Sequence, residues 1–118
     1  MIVEKRRVDG LTVLHVEGVI KLGESARFFA DTLKRVLAEE GGNVLIDLAR
    51  INYIDSTGIG ELVGYLGRFQ EAKRKLILVE PSEPIRKLLK VAHLDQLFPI
   101  YPTLPAALAG EGAAEAAG

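Results

Sequence analysis

Asp55, Ser56, Thr57 and Gly58 form one run directly ahead of a stretch whose apolar residues recur at helical spacing. A helix start favours Asp, Ser or Thr, because their side-chain oxygens accept hydrogen bonds from first-turn N–H groups that have no partner within the helix. One such residue suffices, so the surplus admits three roles: plain capping, a nucleophile, or a hydroxyl placed to be modified. A serine nucleophile needs a base within reach and a group to orient that base. His15 and His93 are the two histidines of the chain. The first falls in a strand-like pattern and the second follows a helix, so both read as surface or packing residues. The sequence contains no G-x-S-x-G elbow and no G-x-x-x-x-G-K-[ST] phosphate loop. It has no cysteine, and its histidines and carboxylates do not fall at metal-ligand spacing. No catalytic residue, metal or cofactor is therefore expected, and the chain reads as something other than an enzyme.

The elements that must position this run alternate between strand and helix. Residues 1–18 give two strand-like stretches about an Asp9-Gly10 turn, a hairpin signal. From Ser25 to Glu39 the apolar positions Phe28, Phe29, Thr32, Leu33, Val36 and Leu37 recur at helical spacing, and Gly41-Gly42 closes the element. "NVLIDL" then reads as a buried strand. Ser56 to about Ala72 reads as a helix, "LILV" at 76–79 as a second buried strand, and "PSEPIRKLLKVA" as a helix with Pro84 tolerated in its first turn. "LFPIYP" allows a short strand, and 103–108 a short helix. This order predicts an α/β domain, a mixed β-sheet with helices packed against it, whose antiparallel part is the first hairpin. In such sheets functional groups gather where a strand's carboxyl end hands over to a helix, and Ser56 stands at such a handover.

Within the helix from Ser56, Ile59, Leu62, Val63, Leu66 and Phe69 make one apolar stripe, and Gly60, Gly64 and Gly67 make a second beside it. Each glycine costs roughly 1 kcal/mol relative to alanine in a helix interior. Either this groove packs closely inside the domain, or it is a docking surface for a partner.

The chain's 118 residues fit one domain, and 48% hydrophobic with 26% charged residues is ordinary for a globular fold. A net charge of −1 gives no electrostatic footprint for nucleic acid. No apolar run approaches the ~20 residues of a membrane span, and the first ten residues lack the core of a signal peptide, so no direct membrane insertion and a cytoplasmic location are expected. Residues 110–118 contain only Gly, Ala and Glu. They are expected to form a flexible low-complexity tail after a domain spanning 1–109.

The stretch "VLIDLARINYIDSTGIGELVGYL" followed by "LILVEPSEPIRKLLKVAHLDQLFPIYPTLPAAL" resembles the STAS domain of bacterial anti-sigma factor antagonists. A V-L-x-D-L strand leads through a short loop to a D-S-[ST]-G motif and a glycine-rich helix. A strand, a Pro-Ser turn, a helix with Arg86, Lys87, Leu88 and Leu89, and an ending from Leu94 to Tyr101 then follow in order. The resemblance covers roughly residues 3 to 108. It implies a regulatory switch whose partners are an anti-sigma factor with serine kinase activity and a serine phosphatase, with Ser56 as the phosphorylated hydroxyl. Asp55, Thr57, Gly58, Gly60 and Gly64 are expected as the switch and partner-binding positions around it. Other members act as scaffolds in stress-sensing assemblies or as soluble subunits of lipid transporters. The chain departs from the family after its second strand, where "GVIKLGES" keeps Gly18 but places Val19 and Lys21 at positions that are acidic in many antagonists. Lys21 either neutralises Asp55 or a phosphate on Ser56, or is an ordinary solvated lysine, and Glu24 offers the acid from a slightly different place.

Overall fold

The Asp9-Gly10 pair sets the first element. Both residues take positive φ, 50° and 81°, as a two-residue hairpin turn of the I′ kind requires. The turn pairs β1 (Ile2–Val8) with β2 (Leu11–Ile20) in antiparallel register from Val8 opposite Leu11 to Ile2 opposite Glu17. The computed structural model describes the backbone of residues 1–117 and the side chains as far as Glu111. After the hairpin come α1 (Glu24–Glu39), β3 (Val44–Ile54), α2 (Ser56–Glu71), β4 (Leu76–Val79), α3 (Glu83–Val91), β5 (Ile100–Tyr101) and α4 (Leu104–Ala117).

The five strands lie in the order β1-β2-β3-β4-β5, the first pair antiparallel and the rest parallel. The chain thus winds in one direction across the sheet. Right-handed crossovers then put α1, α2 and α3 on the same face. The core bears this out: Phe29 and Leu33 of α1, Leu62 and Phe69 of α2, and Ile85 and Leu89 of α3 share one cluster with Leu14, Ile46 and Leu78 of the strands. The opposite face has a smaller cluster, Leu11, Val13, Leu45, Ile77 and Val79, closed by Leu104, Ala107 and Leu108 of α4. The expected α/β domain with a mixed sheet is the fold observed.

In three places the structure corrects the sequence reading. The segment after "NVLIDL" is not a loop. β3 continues through it to Ile54, with its pairing to β2 shifted between His15 and Glu17 and again between Gly18 and Val19. Those bulges break strict alternation, so the strand is buried at Leu48, Ile51 and Ile54 instead of at every second residue. Asp47 braces the first irregularity: one carboxylate oxygen accepts from Ala49 N at 3.0 Å, the other lies 2.7 Å from His15 Nδ1.

Secondly, the stripe of α2 is rotated from the one expected. Tyr65 is buried while Val63 is 39% exposed. The Arg68 guanidinium lies 4.7 Å from the Tyr65 ring centroid, and its Nη1 donates to the Tyr65 hydroxyl at 3.3 Å, which satisfies the polar end. The glycines beside it do not pack inside the domain. A Cβ built on Gly60, Gly64 or Gly67 meets nothing within 4 Å.

The third correction concerns the C-terminus. The helix expected at 103–108 runs on through Ala117 and so extends into the low-complexity stretch. Gly110 leaves no room for a side chain, since a Cβ there would lie 2.6 Å from Tyr101 Oη. Glu111 is 4% exposed and accepts a 2.6 Å hydrogen bond from the Tyr101 hydroxyl, with Lys75 Nζ at 3.5 Å. That bond, with burial and the negative charge, holds the Tyr101 phenol above its ordinary pKa. The side chains of the rest of the expected tail, 112–118, lie outside the described residues.

Two outcomes are expected in thermal unfolding. Truncation after Ala109, or Glu111→Ala alone, leaves the Tyr101 hydroxyl without its acceptor and lowers Tm by about 5 °C, equivalent to roughly 1 kcal/mol. An unchanged Tm would show that the last turns add nothing. Gly60→Ala and Gly64→Ala act in the other direction. With open space for the methyl group, each is expected to raise stability by roughly 1 kcal/mol through helix propensity alone.

Candidate functional site

β2 and β3 end side by side, their last paired residues being Ile20 and Ile54. Two handovers from strand to helix therefore meet at one edge of the domain: residues 21–23 leading into α1, and Asp55 leading into α2. The backbone joins them where Asp55 N donates to Ile20 O at 3.2 Å. The Asp55 side chain joins them again. Its Oδ1 accepts from Gly58 N at 2.9 Å, which caps α2, and its Oδ2 accepts from Leu22 N at 2.9 Å.

Donation from the Leu22 and Gly58 amides holds the Asp55 carboxyl below its ordinary pKa. A depressed carboxyl contributes stability above its unfolded-state pKa and loses it as pH falls through the folded one, so this clip is fully formed at neutral pH.

Gly58 is fixed by the same junction. A Cβ there would lie 2.6 Å from Ile20 O and 2.8 Å from Ile54 Cγ2. Only glycine lets α2 start this close to the end of β2, so this residue packs inward and offers no surface to a partner.

Ser56 is left free by its neighbours. It is the first residue of α2 and is exposed, and among the described residues its hydroxyl has no hydrogen-bond partner. Capping therefore belongs to Asp55, not Ser56. Among the described residues neither histidine bonds to Ser56: His15 is held by Asp47 in the sheet and His93 follows α3. Thr57 is half-buried and lines a groove of about 440 Å³ between α1 and α2, with Leu22, Ala26 and Glu61 among its walls.

Lys21 and Glu24 stand on the other side of the junction. Lys21 is exposed, and among the described residues its ammonium makes no ion pair with Asp55. The Asp55 charge is met by amides instead. The Lys21 backbone is tied to Ser25, whose hydroxyl accepts from Lys21 N at 3.0 Å and donates to Lys21 O at 3.1 Å. Glu24 opens α1, where a carboxylate is favoured by the helix dipole, and no hydrogen bond links it to Ser56.

Leu22 and Tyr53 were not anticipated. They are 76% and 52% exposed; the Leu22 amide donates to Asp55, Tyr53 precedes Asp55 by two residues, and Val63 adds a third exposed apolar side chain on the outer face of α2. Gly60, Val63 and Gly64 follow Ser56 at helical spacing, so the open surface at the two glycines shares its face of α2. A leucine in a loop bounded by Lys and Gly was the available sign for Leu22.

Among the described residues no group of three or more His, Asp or Glu is placed to hold a metal ion. Among the described residues no helix is long and apolar enough to cross a membrane.

Comparison with known proteins places this arrangement. Residues 3–107 match the STAS domain family. The anti-sigma-B factor antagonist of Staphylococcus epidermidis is 32% identical to the chain, over 64% of this chain and 74% of that protein. The crystal structure of an anti-sigma factor antagonist from Mycobacterium paratuberculosis superposes with a TM-score of 0.81 at 23% identity, covering 93% of this chain and 92% of that one. The Bacillus cell fate determinant SpoIIAA in its phosphorylated form gives a TM-score of 0.70 at 16% identity, covering 91% and 96%. With its matched residues extending from β1 into α4, the chain belongs to the STAS domain family, among relatives named as anti-sigma factor antagonists.

Proposed function

We propose that this chain is an anti-sigma factor antagonist that binds an anti-sigma factor with serine kinase activity through the surface around Ser56, and that phosphorylation of Ser56 weakens the contact. A serine phosphatase restores it. The observation that carries this reading is the division of labour at the start of α2: Asp55 does the capping, and Ser56 keeps an exposed hydroxyl with no bond to give up. The relatives' names and the phosphorylated form of SpoIIAA support it.

In this reading the Ser56 oxygen takes the terminal phosphoryl group of the partner's ATP, and its proton passes to the kinase. The product carries about −1.5 to −2 charges next to the Asp55 carboxylate. The first-turn N–H groups of α2 tolerate that anion, so the fold survives modification. The partner's approach does not, because the new charge adds to that of Asp55 on the face of α2 that carries the exposed Val63, and docking there has to strip its water away. Binding and being modified, rather than catalysis, is the role assigned to this chain.

The test is titration of the serine-kinase partner with purified variants, alongside mass spectrometry of the modified peptide. Ser56→Ala is expected to keep its Tm and its affinity while taking up no phosphate. Ser56→Asp is expected to stay folded and bind at least about tenfold more weakly, a change of about 1.4 kcal/mol. Thr57→Ala leaves most phosphate incorporation in place. Asp55→Ala, by contrast, lowers Tm, because it removes the acceptor of both Leu22 N and Gly58 N. Equal affinities for wild type and Ser56→Asp, or phosphate found on Thr57 alone, would overturn the assignment.

A further inference from the structure

A second concave site lies at the carboxyl ends of β4 and β5, built from elements that the Ser56 surface does not use. β5 is only two residues long, and beyond Tyr101 the chain turns away at Pro102. β4 stops at Val79, where Glu80 takes a φ of 52° and leads into Pro81 and α3. Glu80 N donates to Tyr101 O at 2.8 Å, which closes the floor between the two strand ends. Above that floor the diverging chains leave a cavity of about 510 Å³. This is within the size range of small-molecule sites and at the sheet end where ligands of α/β folds collect.

The walls differ in chemistry. Pro81, Tyr101 and Pro102 give rigid, largely apolar surface on one side. Arg86 and Lys90 line the other, one turn apart on the flank of α3 adjoining its buried Ile85 and Leu89. Among the described residues neither cation has an ion pair or hydrogen bond through its side chain, although Glu83 and Asp95 line the same cavity. Two adjacent cations left unpaired beside carboxylates are available to an outside anion. The carboxylates limit how much negative charge that anion can carry.

We propose that this cavity binds a small organic anion, its carboxylate or phosphate head between Arg86 and Lys90 and its apolar body against Pro81, Tyr101 and Pro102. The site is separate from the partner surface, so a small molecule can reach the domain without competing at Ser56. A compact head with a flat body fits both walls, whereas an inorganic anion satisfies only the cations.

The test is amide NMR titration of the full chain with phenyl phosphate, benzoate and inorganic phosphate at low salt. Saturable shifts in α3 and around Tyr101 with phenyl phosphate or benzoate are expected, and which of the two binds tells the head group. The better of them is expected to bind at least about fivefold more tightly than inorganic phosphate, through the apolar wall. The Arg86→Gln/Lys90→Gln variant, altered only at exposed positions, is expected to keep its Tm and lose at least about tenfold in affinity. Asp95→Asn is expected to tighten binding. The proposal fails if no saturable shift is seen up to about 10 mM ligand. It also fails if the double variant binds like wild type, if inorganic phosphate binds as well as the aromatic anions, or if the shifts fall at the start of α2 instead.

Discussion

The strand order, which runs without reversal from β1 to β5, is the constraint on which the rest of this structure depends. A sheet that never doubles back sends every crossover helix to one face, so three helices share a single core cluster and the other face receives only α4. The same winding brings the ends of β2 and β3 together, with Ile20 opposite Ile54. Everything at the candidate site follows from that adjacency. Two loops that are more than thirty residues apart in sequence become close enough for one carboxylate to serve both.

Asp55 converts adjacency into rigidity. A cap that only accepted from Gly58 N would fix the start of α2 and nothing else. Because the second oxygen accepts from Leu22 N, the entry to α1 is held by the same side chain, and Gly58 allows the two elements to touch. The junction is therefore built from backbone amides, one acid and one glycine, none of which is consumed by the surface outside it. The glycines further along α2 contrast with Gly58. Gly58 is needed by the fold, while Gly60 and Gly64 face open space and lower helix stability with no packing return inside the chain. On the proposed reading, the partner that docks on that face accounts for them.

Much of this was legible in the sequence, for identifiable reasons. Strands and helices were recoverable where burial is one-sided and regular, as in α1 and β4, and where local chemistry is decisive, as at Asp9-Gly10. β3 was cut short because its bulges replace the period of two with buried residues three apart at Leu48, Ile51 and Ile54. The run at 55–58 marked the right place, but a one-dimensional reading did not distribute its roles. Which of three adjacent polar residues caps, and which is free, depends on Leu22 N, contributed by another loop. The last helix was cut short at 108 because the residues beyond it lack bulk, and its anchor is a polar contact between Glu111 and Tyr101 that hydrophobic patterning does not register.

The freedom of the Ser56 hydroxyl also bears on timing. A modification site that is bonded into its own fold reacts only in the fraction of molecules that have locally opened, so opening sets an upper limit on its rate. Ser56 has nothing to open: it is exposed, and the hydrogen bonds that define the start of α2 belong to its neighbours. On the proposed reading, the speed of its phosphorylation and of its reversal is then set by encounter with the kinase and the phosphatase and by their turnover. A switch of this construction responds as quickly as the enzymes acting on it allow, and the stability of the domain can change over evolution without altering that response.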